Sequence, residues 1–224
     1  MKRRLGIATI GQAPRDDLVR LFAAHVPAGT DVVLRGCLDD LDDNAIAARP
    51  PVDGDDTLYT RLRGGRDVKI SKLHVIERAP ATLARLRQDG ADVLVFACTG
   101  EFPPMAGDAG VLYPSRVLDG LISALLPKGR LGLLVPLPEQ IAKLSAKRSR
   151  PGLEIVAEAL VPSGDPAAAR AAAERLKARA PDLVAMDCMS YSQATKSAVT
   201  GVLGVPTLLA VTAVSRVIEE LLDR

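Results

Sequence analysis

Val93-Leu94-Val95-Phe96-Ala97-Cys98-Thr99-Gly100 and Leu183-Val184-Ala185-Met186-Asp187-Cys188-Met189-Ser190 follow one grammar: a short unbroken apolar run leads into a cysteine and then a polar turn. Apolar runs without alternation suit strands covered on both faces, as in a parallel sheet between helices. Each run is preceded, earlier in its half, by a second strand-like opening. In the first half this is Leu5-Gly6-Ile7-Ala8-Thr9-Ile10; in the second it is Arg130-Leu131-Gly132-Leu133-Leu134-Val135-Pro136. The chain therefore reads as one plan used twice.

The stretches between these runs have helical spacing. Strands are expected at 5–10, 31–36, 93–96, 111–113, 131–135, 154–160, 183–186 and 205–209, and helices at 16–24, 39–48, 72–88, 116–126, 139–147, 166–180, 193–202 and 213–222. Pro14 and two acidic residues open the first helix. Pro80 is expected to kink or split the helix at 72–88. Gly64-Gly65 between 59–62 and 67–70 signals a hairpin. Strands separated by single helices imply right-handed βαβ units with helices on both sheet faces. The expected fold is α/β, two Rossmann-like lobes with parallel sheets related by pseudo-two-fold symmetry. In open sheets of this kind ligands gather beyond the carboxyl ends of the strands. Two such lobes facing each other would put Cys98 and Cys188 across one cleft.

Composition excludes several function classes. The 224 residues carry 29 basic and 27 acidic side chains, a net charge of +2 with no basic stripe, so no nucleic-acid footprint is expected. Aromatic residues make up 3% and tryptophan is absent, which removes stacking platforms for single strands. No run approaches the ~18 apolar residues of a membrane span. The apolar run at 5–10 is shorter than the ~7–15 residues of a signal-peptide core. The three cysteines are odd in number and widely spaced, which fits a reducing, cytoplasmic setting rather than a disulfide framework. With only two histidines, His25 and His74, and no Cys-x-x-Cys, a structural metal site is not expected. No Gly-x-Gly-x-x-Gly or P-loop follows a strand, which disfavours nucleotide binding.

An isolated cysteine is more often a small buried hydrophobe than a catalyst. The shared strand-end placement of Cys98 and Cys188 favours function, because loop N–H groups there stabilise a thiolate. Cys37 follows a strand without a matching motif and reads as structural. Around the two thiols, other residues have both a plain and a functional reading. Arg15 is a solvated arginine or a bidentate carboxylate clamp. Gln12 is a turn residue or a hydrogen-bonding partner of substrate. Glu101 is a loop acid or a proton relay beside Cys98. Ser115 is most simply a helix N-cap. Gln140 reaches the cleft or water, and Tyr191 packs as a lid or donates its hydroxyl. Gly11 and Gly100 lie in loops suited to an anion-binding nest, with Thr9 and Thr99 beside them. His74 reads as structural.

Thr9-Ile10-Gly11-Gln12-Ala13-Pro14-Arg15, Cys98-Thr99-Gly100-Glu101-Phe102, Tyr113-Pro114-Ser115-Arg116, Val135-Pro136-Leu137-Pro138-Glu139-Gln140 and Asp187-Cys188-Met189-Ser190-Tyr191 together resemble the AroM family. The resemblance spans nearly the whole chain. It implies the fold of the aspartate/glutamate racemase superfamily, whose racemases, maleate isomerases and arylmalonate decarboxylases use two lobes and one or two facing cysteines without a cofactor. The chain departs from the racemase pattern: Cys98-Thr99-Gly100 stands where those enzymes have Cys-Asn-Thr, and Cys188-Met189-Ser190 where they often have Cys-Thr-His. Asp187 or Tyr191 would then have to take the place of the missing histidine.

The resemblance implies a first lobe of 1–115 plus 205–224 and a second of 116–204, with the active-site cleft between them. Cys98 and Cys188 are the expected acid/base pair. Thr9, Gly11, Gln12, Arg15, Thr99, Gly100, Glu101, Ser115, Gln140, Asp187, Met189 and Tyr191 are the expected substrate-binding residues. The expected reaction is racemisation or isomerisation of a small carboxylate or amide. Two alternatives stand beside it: a decarboxylase-type lyase, and a two-lobed binding or regulatory protein with inert thiols. Self-association is left open.

Overall fold

The computed structural model describes residues 3–223. The chain forms two compact units, one running to Arg116 and taking in the chain from Val214, the other holding Val117–Ala213. In the first unit, strands β1 (Arg4–Thr9), β2 (Asp31–Gly36), β5 (Val93–Phe96) and β6 (Val111–Leu112) form a parallel sheet in the order β2-β1-β5-β6. Helices α1 (Asp16–Ala23), α2 (Asp43–Ala47) and α3 (Lys72–Gln88) connect them, and β3 (Thr57–Arg61) and β4 (Asp67–Ser71) pair as a separate antiparallel hairpin.

Helix α4 (Pro114–Leu125) leads to the second sheet. Strands β7 (Gly129–Val135), β8 (Leu153–Ala159), β9 (Leu183–Met186) and β10 (Thr207–Leu209) are all parallel, in the order β10-β9-β7-β8. Helices α5 (Ile141–Arg148), α6 (Pro166–Lys177) and α7 (Gln193–Leu203) connect them, and α8 (Ala210–Leu222) ends the chain. Taken from the edge held by the second strand, both sheets run second strand, first, third, fourth. The repeat legible in the sequence is thus a repeat of topology.

The first strand of each sheet needs a glycine. A Cβ on Gly6 would lie 2.7 Å from Leu94 Cδ2 and 2.8 Å from Ala91 Cβ, with Leu86 of α3 behind them at 3.5 Å. A Cβ on Gly132 would lie 2.9 Å from Val184 Cγ2 and 3.0 Å from Leu176 Cδ2 of α6. At both places a helix seats its leucine against bare backbone. Capping fixes where the helices start: Ser71 Oγ accepts from His74 N on α3, Asp165 Oδ1 from Ala168 N on α6 and Ser192 Oγ from Thr195 N on α7.

Three expectations need correction. The strand at 205–209 does not return to the first sheet, since Thr207–Leu209 pairs with Val184–Met186 and completes the second. The change of unit falls later, inside α8, between Ala213 and Val214. Of the kink or split expected at Pro80, the split does not occur: α3 runs unbroken from Lys72 to Gln88 with Val75, Ala79, Leu83 and Leu86 buried. That apolar face holds the helix together across the hydrogen bond that proline removes. The helix expected at 39–48 shrinks to Asp43–Ala47, because the Asp39 carboxylate is drawn back to accept from Ala13 N (2.6 Å) and Gly36 N (2.8 Å).

Gly6→Val and Gly132→Val should each crowd the neighbouring strand, through Leu94 and Val184, and the helix behind it. The expected loss is about 1–3 kcal/mol per substitution, as for other overpacked cores, read as a lower midpoint in urea denaturation.

Candidate functional site

The carboxyl ends of the two central strands of each sheet lie side by side; Thr9–Arg15 and Cys98–Glu101 follow β1 and β5, and Gln140 and Asp187–Tyr191 follow β7 and β9, whereas Ser115 follows the edge strand β6. In the first unit Ala8 of β1 is in register with Phe96 of β5, and Ala97 N donates to Ala8 O at 2.8 Å. In the second unit Leu134 of β7 is in register with Met186 of β9, and Asp187 N donates to Leu134 O at 2.8 Å. Cys98 and Cys188 are therefore the next residue beyond the same point in both sheets.

Beyond that point the backbone turns the same way twice. Cys98 N donates to Phe96 O, and Cys188 N to Met186 O. Gly100 N then points at Cys98 Sγ (3.3 Å), and Ser190 N at Cys188 Sγ (3.4 Å). An N–H aimed at sulfur favours the charged form of a thiol. Cys98 is partly exposed, whereas Cys188 is buried at 8%. Cys37 sits in the apolar core of the first unit, and its thiol is pushed up to about 12 by burial, which outweighs a hydrogen bond with Thr82.

The loop after β1 is tied down by its own side chains. Thr9 is buried, and its Oγ1 accepts from Gly11 N at 3.4 Å. Gly11 abuts the hairpin, since a Cβ there would lie 2.5 Å from Arg61 O. Gln12 Nε2 donates to Leu38 O (3.1 Å) and Leu41 O (2.8 Å), while its Oε1 accepts from Arg63 N (3.2 Å). The Gln12 amide thus works as a latch between β1, β2 and the hairpin. Arg15 is buried, and its Nε and Nη2 both reach the Asp17 carboxylate at 2.9 Å. Burial pushes the Asp17 carboxyl up, but the Arg15 hydrogen bond and charge, with help from Arg61, hold it below its ordinary value. The bidentate face read as a substrate clamp is therefore occupied by a carboxylate of the protein itself.

Thr99 is buried, Gly100 lies beside Phe102, and Glu101 is exposed. The rings of Phe102 and Phe96 meet edge to face at 4.9 Å, anchoring the loop after Cys98. Ser115 is buried in the first turn of α4, which begins at Pro114, so it lies inside the helix rather than capping it.

In the second unit Gln140 is buried at the end of a 3-10 turn, Pro138–Gln140, that follows β7. Met189 is buried, and so is Tyr191, whose hydroxyl donates to Leu160 O at 2.6 Å. Tyr191 therefore pins the loop after β9 to the end of β8 and is no surface lid. Asp187 is fully buried; its Oδ2 accepts from Arg148 Nε (3.2 Å) and Nη2 (2.9 Å). Arg148 was not among the residues read from the sequence, where Lys147-Arg148 looks like the solvated end of a helix. Among the described residues no group of three or more His, Cys, Asp or Glu could hold a metal ion, and no helix is long and apolar enough to cross a membrane. His74 is buried on α3, and desolvation together with Arg49 and Arg78 lowers its pKa.

A family model described as AroM protein matches residues 5–222. No curated protein matches the chain in sequence. Among solved structures, the maleate isomerase Iso from Pseudomonas putida S16 superimposes with a TM-score of 0.66 at 13% identity, over 100% of this chain and 94% of that one. An arylmalonate decarboxylase gives 0.63 at 16% identity, covering 98% and 92% of the two chains. The glutamate racemase from Francisella tularensis subsp. tularensis SCHU S4, solved in complex with D-glutamate, gives 0.59 at 16% identity over 99% and 81%. At these identities the likeness is one of fold.

Two outcomes are expected from these contacts. Mass-spectrometric labelling of the folded protein by iodoacetamide at pH 7 should modify Cys98 first and Cys37 last. Tyr191→Phe should leave Leu160 O without its buried donor and cost about 1–3 kcal/mol, measured by chemical denaturation.

Proposed function

The chain belongs to the AroM family, and from that premise we propose that it moves a proton at the carbon alpha to a carboxyl or amide carbonyl of a small substrate, with Cys98 and Cys188 as the acid/base pair. One observation carries this reading: the two thiols end equivalent strands, and each receives an N–H from the residue two positions on, at 3.3 and 3.4 Å. The fold shared with a glutamate racemase, a maleate isomerase and an arylmalonate decarboxylase adds support.

A proton alpha to a carboxylate is weakly acidic, so its removal needs a placed base and groups that meet the charge developing on the carboxyl oxygens. In the proposed cycle one sulfur enters as thiolate and takes the proton, leaving a planar enediolate. The other enters as thiol and returns a proton to the opposite face. The carbon is inverted, the two sulfurs have exchanged protonation states, and no redox cofactor is called for. Thr9 and Thr99, with the backbone N–H groups around Gly11 and Gly100, are proposed to hold the carboxylate. Gln12 and Arg15 keep that wall in place through the contacts described above. Glu101, Ser115, Gln140 and Met189 are proposed as neighbours of the substrate, with Asp187 and Tyr191 supporting the Cys188 loop.

The unequal exposure of the thiols, Cys98 partly open and Cys188 buried, favours a second reading. In it the protein is a decarboxylase in which carbon dioxide leaves a substituted malonate and a single thiol protonates the resulting enediolate.

Solvent deuterium incorporation into a panel of small amino acids, hydantoins and substituted malonates separates the readings. A two-thiol racemase should lose racemisation in Cys98→Ser and in Cys188→Ser alike, because a serine hydroxyl is too weak an acid to replace the thiol on the opposite face of the carbon. A lyase should depend on one of them. Turnover unchanged in both variants would exclude either cysteine, and no exchange with any carbonyl substrate would leave a binding protein.

A further inference from the structure

We infer that Arg148 is a positioning residue for Cys188, holding the Asp187 carboxylate away from the thiol and cancelling its charge. The inference rests on the reading of Cys188 as an acid/base group. Three charged groups from three elements of the second unit meet at this point. Arg148 lies in the last turn of α5, and its side chain is fully buried. Its Nε and Nη2 donate to Asp187 Oδ2, just beyond β9, where the carboxylate is also fully buried. Its Nη1 donates to Asp119 Oδ1 on α4, which is 42% exposed.

The arrangement is costly and therefore informative. A buried guanidinium and carboxylate each lose hydration that their attraction regains only with good geometry, and a similarly shaped apolar pair often serves stability as well. Here the pair stands one residue from a sulfur proposed to carry charge. An uncancelled carboxylate at Asp187 would repel a thiolate at Cys188 through a poorly screened interior. With Arg148 in place, the carboxylate next to Cys188 in the chain is bound to a cation that is itself tied to a second, partly solvated carboxylate. Burial disfavours the charged guanidinium, but Asp187 and Asp119 outweigh it and hold Arg148 in its charged form. The same contacts fix the backbone, since Asp187 N is bound to Leu134 O and its side chain to α5.

The test is the rate at which free iodoacetamide alkylates Cys188, followed by mass spectrometry on the full chain. It needs no substrate, and the urea denaturation midpoint of each variant serves as the gauge of intact folding. Removing either partner shifts the local charge in opposite directions: Arg148→Met takes a cation from beside Asp187, and Asp187→Asn takes a carboxylate from beside Arg148 while Asp119 stays. Arg148→Met should slow alkylation of Cys188 by about three- to ten-fold, and Asp187→Asn should speed it by a similar factor. Joining the two substitutions should bring the rate back near that of the parent, and Arg148→Lys should keep most of it. If Arg148→Met does not fold, Asp187→Asn and Arg148→Lys still decide the matter. Both single substitutions speeding the reaction would mean that the pair only clamps a loop, and would overturn the inference. A parent Cys188 no more reactive than Cys37 would remove the acid/base reading itself, and the inference with it.

Discussion

Contact between helix and bare strand backbone at Gly6 and Gly132 is the constraint on which both sheets depend. Any side chain at either position would meet neighbours closer than 3 Å. With hydrogen there instead, Leu86 of α3 and Leu176 of α6 settle against the first strand of their sheets. Beneath that contact the first and third strands run in register to the same point, Ala8 with Phe96 and Leu134 with Met186. The carboxyl ends of β1 and β5, and of β7 and β9, then form two shelves of like construction. Each shelf bears a cysteine one residue past the ladder and an N–H two residues further on.

Much of this is legible in the sequence, because strands buried on both faces leave unbroken apolar runs and because the plan is used twice. What escapes are features set by partners far along the chain. Gln12 reads as a turn residue or a substrate contact, but Leu38, Leu41 and Arg63 decide its role. Arg15 looks ready for a carboxylate, and it has one, two residues away. Tyr191 gives no sign that its hydroxyl is committed to Leu160. Arg148 resembles the basic end of any exposed helix, and nothing local indicates that α5 turns it inward toward Asp187. The sheet chosen by 207–209 is hidden for a different reason: a run as short as Thr207-Leu208-Leu209 specifies a strand but not its neighbour.

The departures from the racemase sequence pattern acquire a physical sense in this setting. Where those enzymes often place a histidine after the second thiol, this chain has Met189 and Ser190, and the charged group beside the thiol is Asp187. A carboxylate there is tolerable because an arginine meets it. On the first shelf the surroundings of Cys98 are Thr99, Gly100 and an aromatic pair, Phe96 and Phe102, with no charge on the turn itself before Glu101. The two thiols thus share a backbone geometry while differing in their electrostatic surroundings. That difference would suit them to different steps of a proton transfer.

The passage of the chain between the units bears on its synthesis. Residues from Val117 to Ala213 form one unbroken stretch, whereas the other unit is assembled from two stretches, the second of which is the end of α8. As the polypeptide leaves the ribosome, the inserted unit has all its strands before the first has received its last helix, in which Val214, Ile218 and Leu222 are buried. Completion of the first unit therefore waits until α8 has been made. A nascent chain stopped near Ala213 would hold a finished insert and a first unit whose closing helix is missing, with apolar surface open to chaperones until α8 is made.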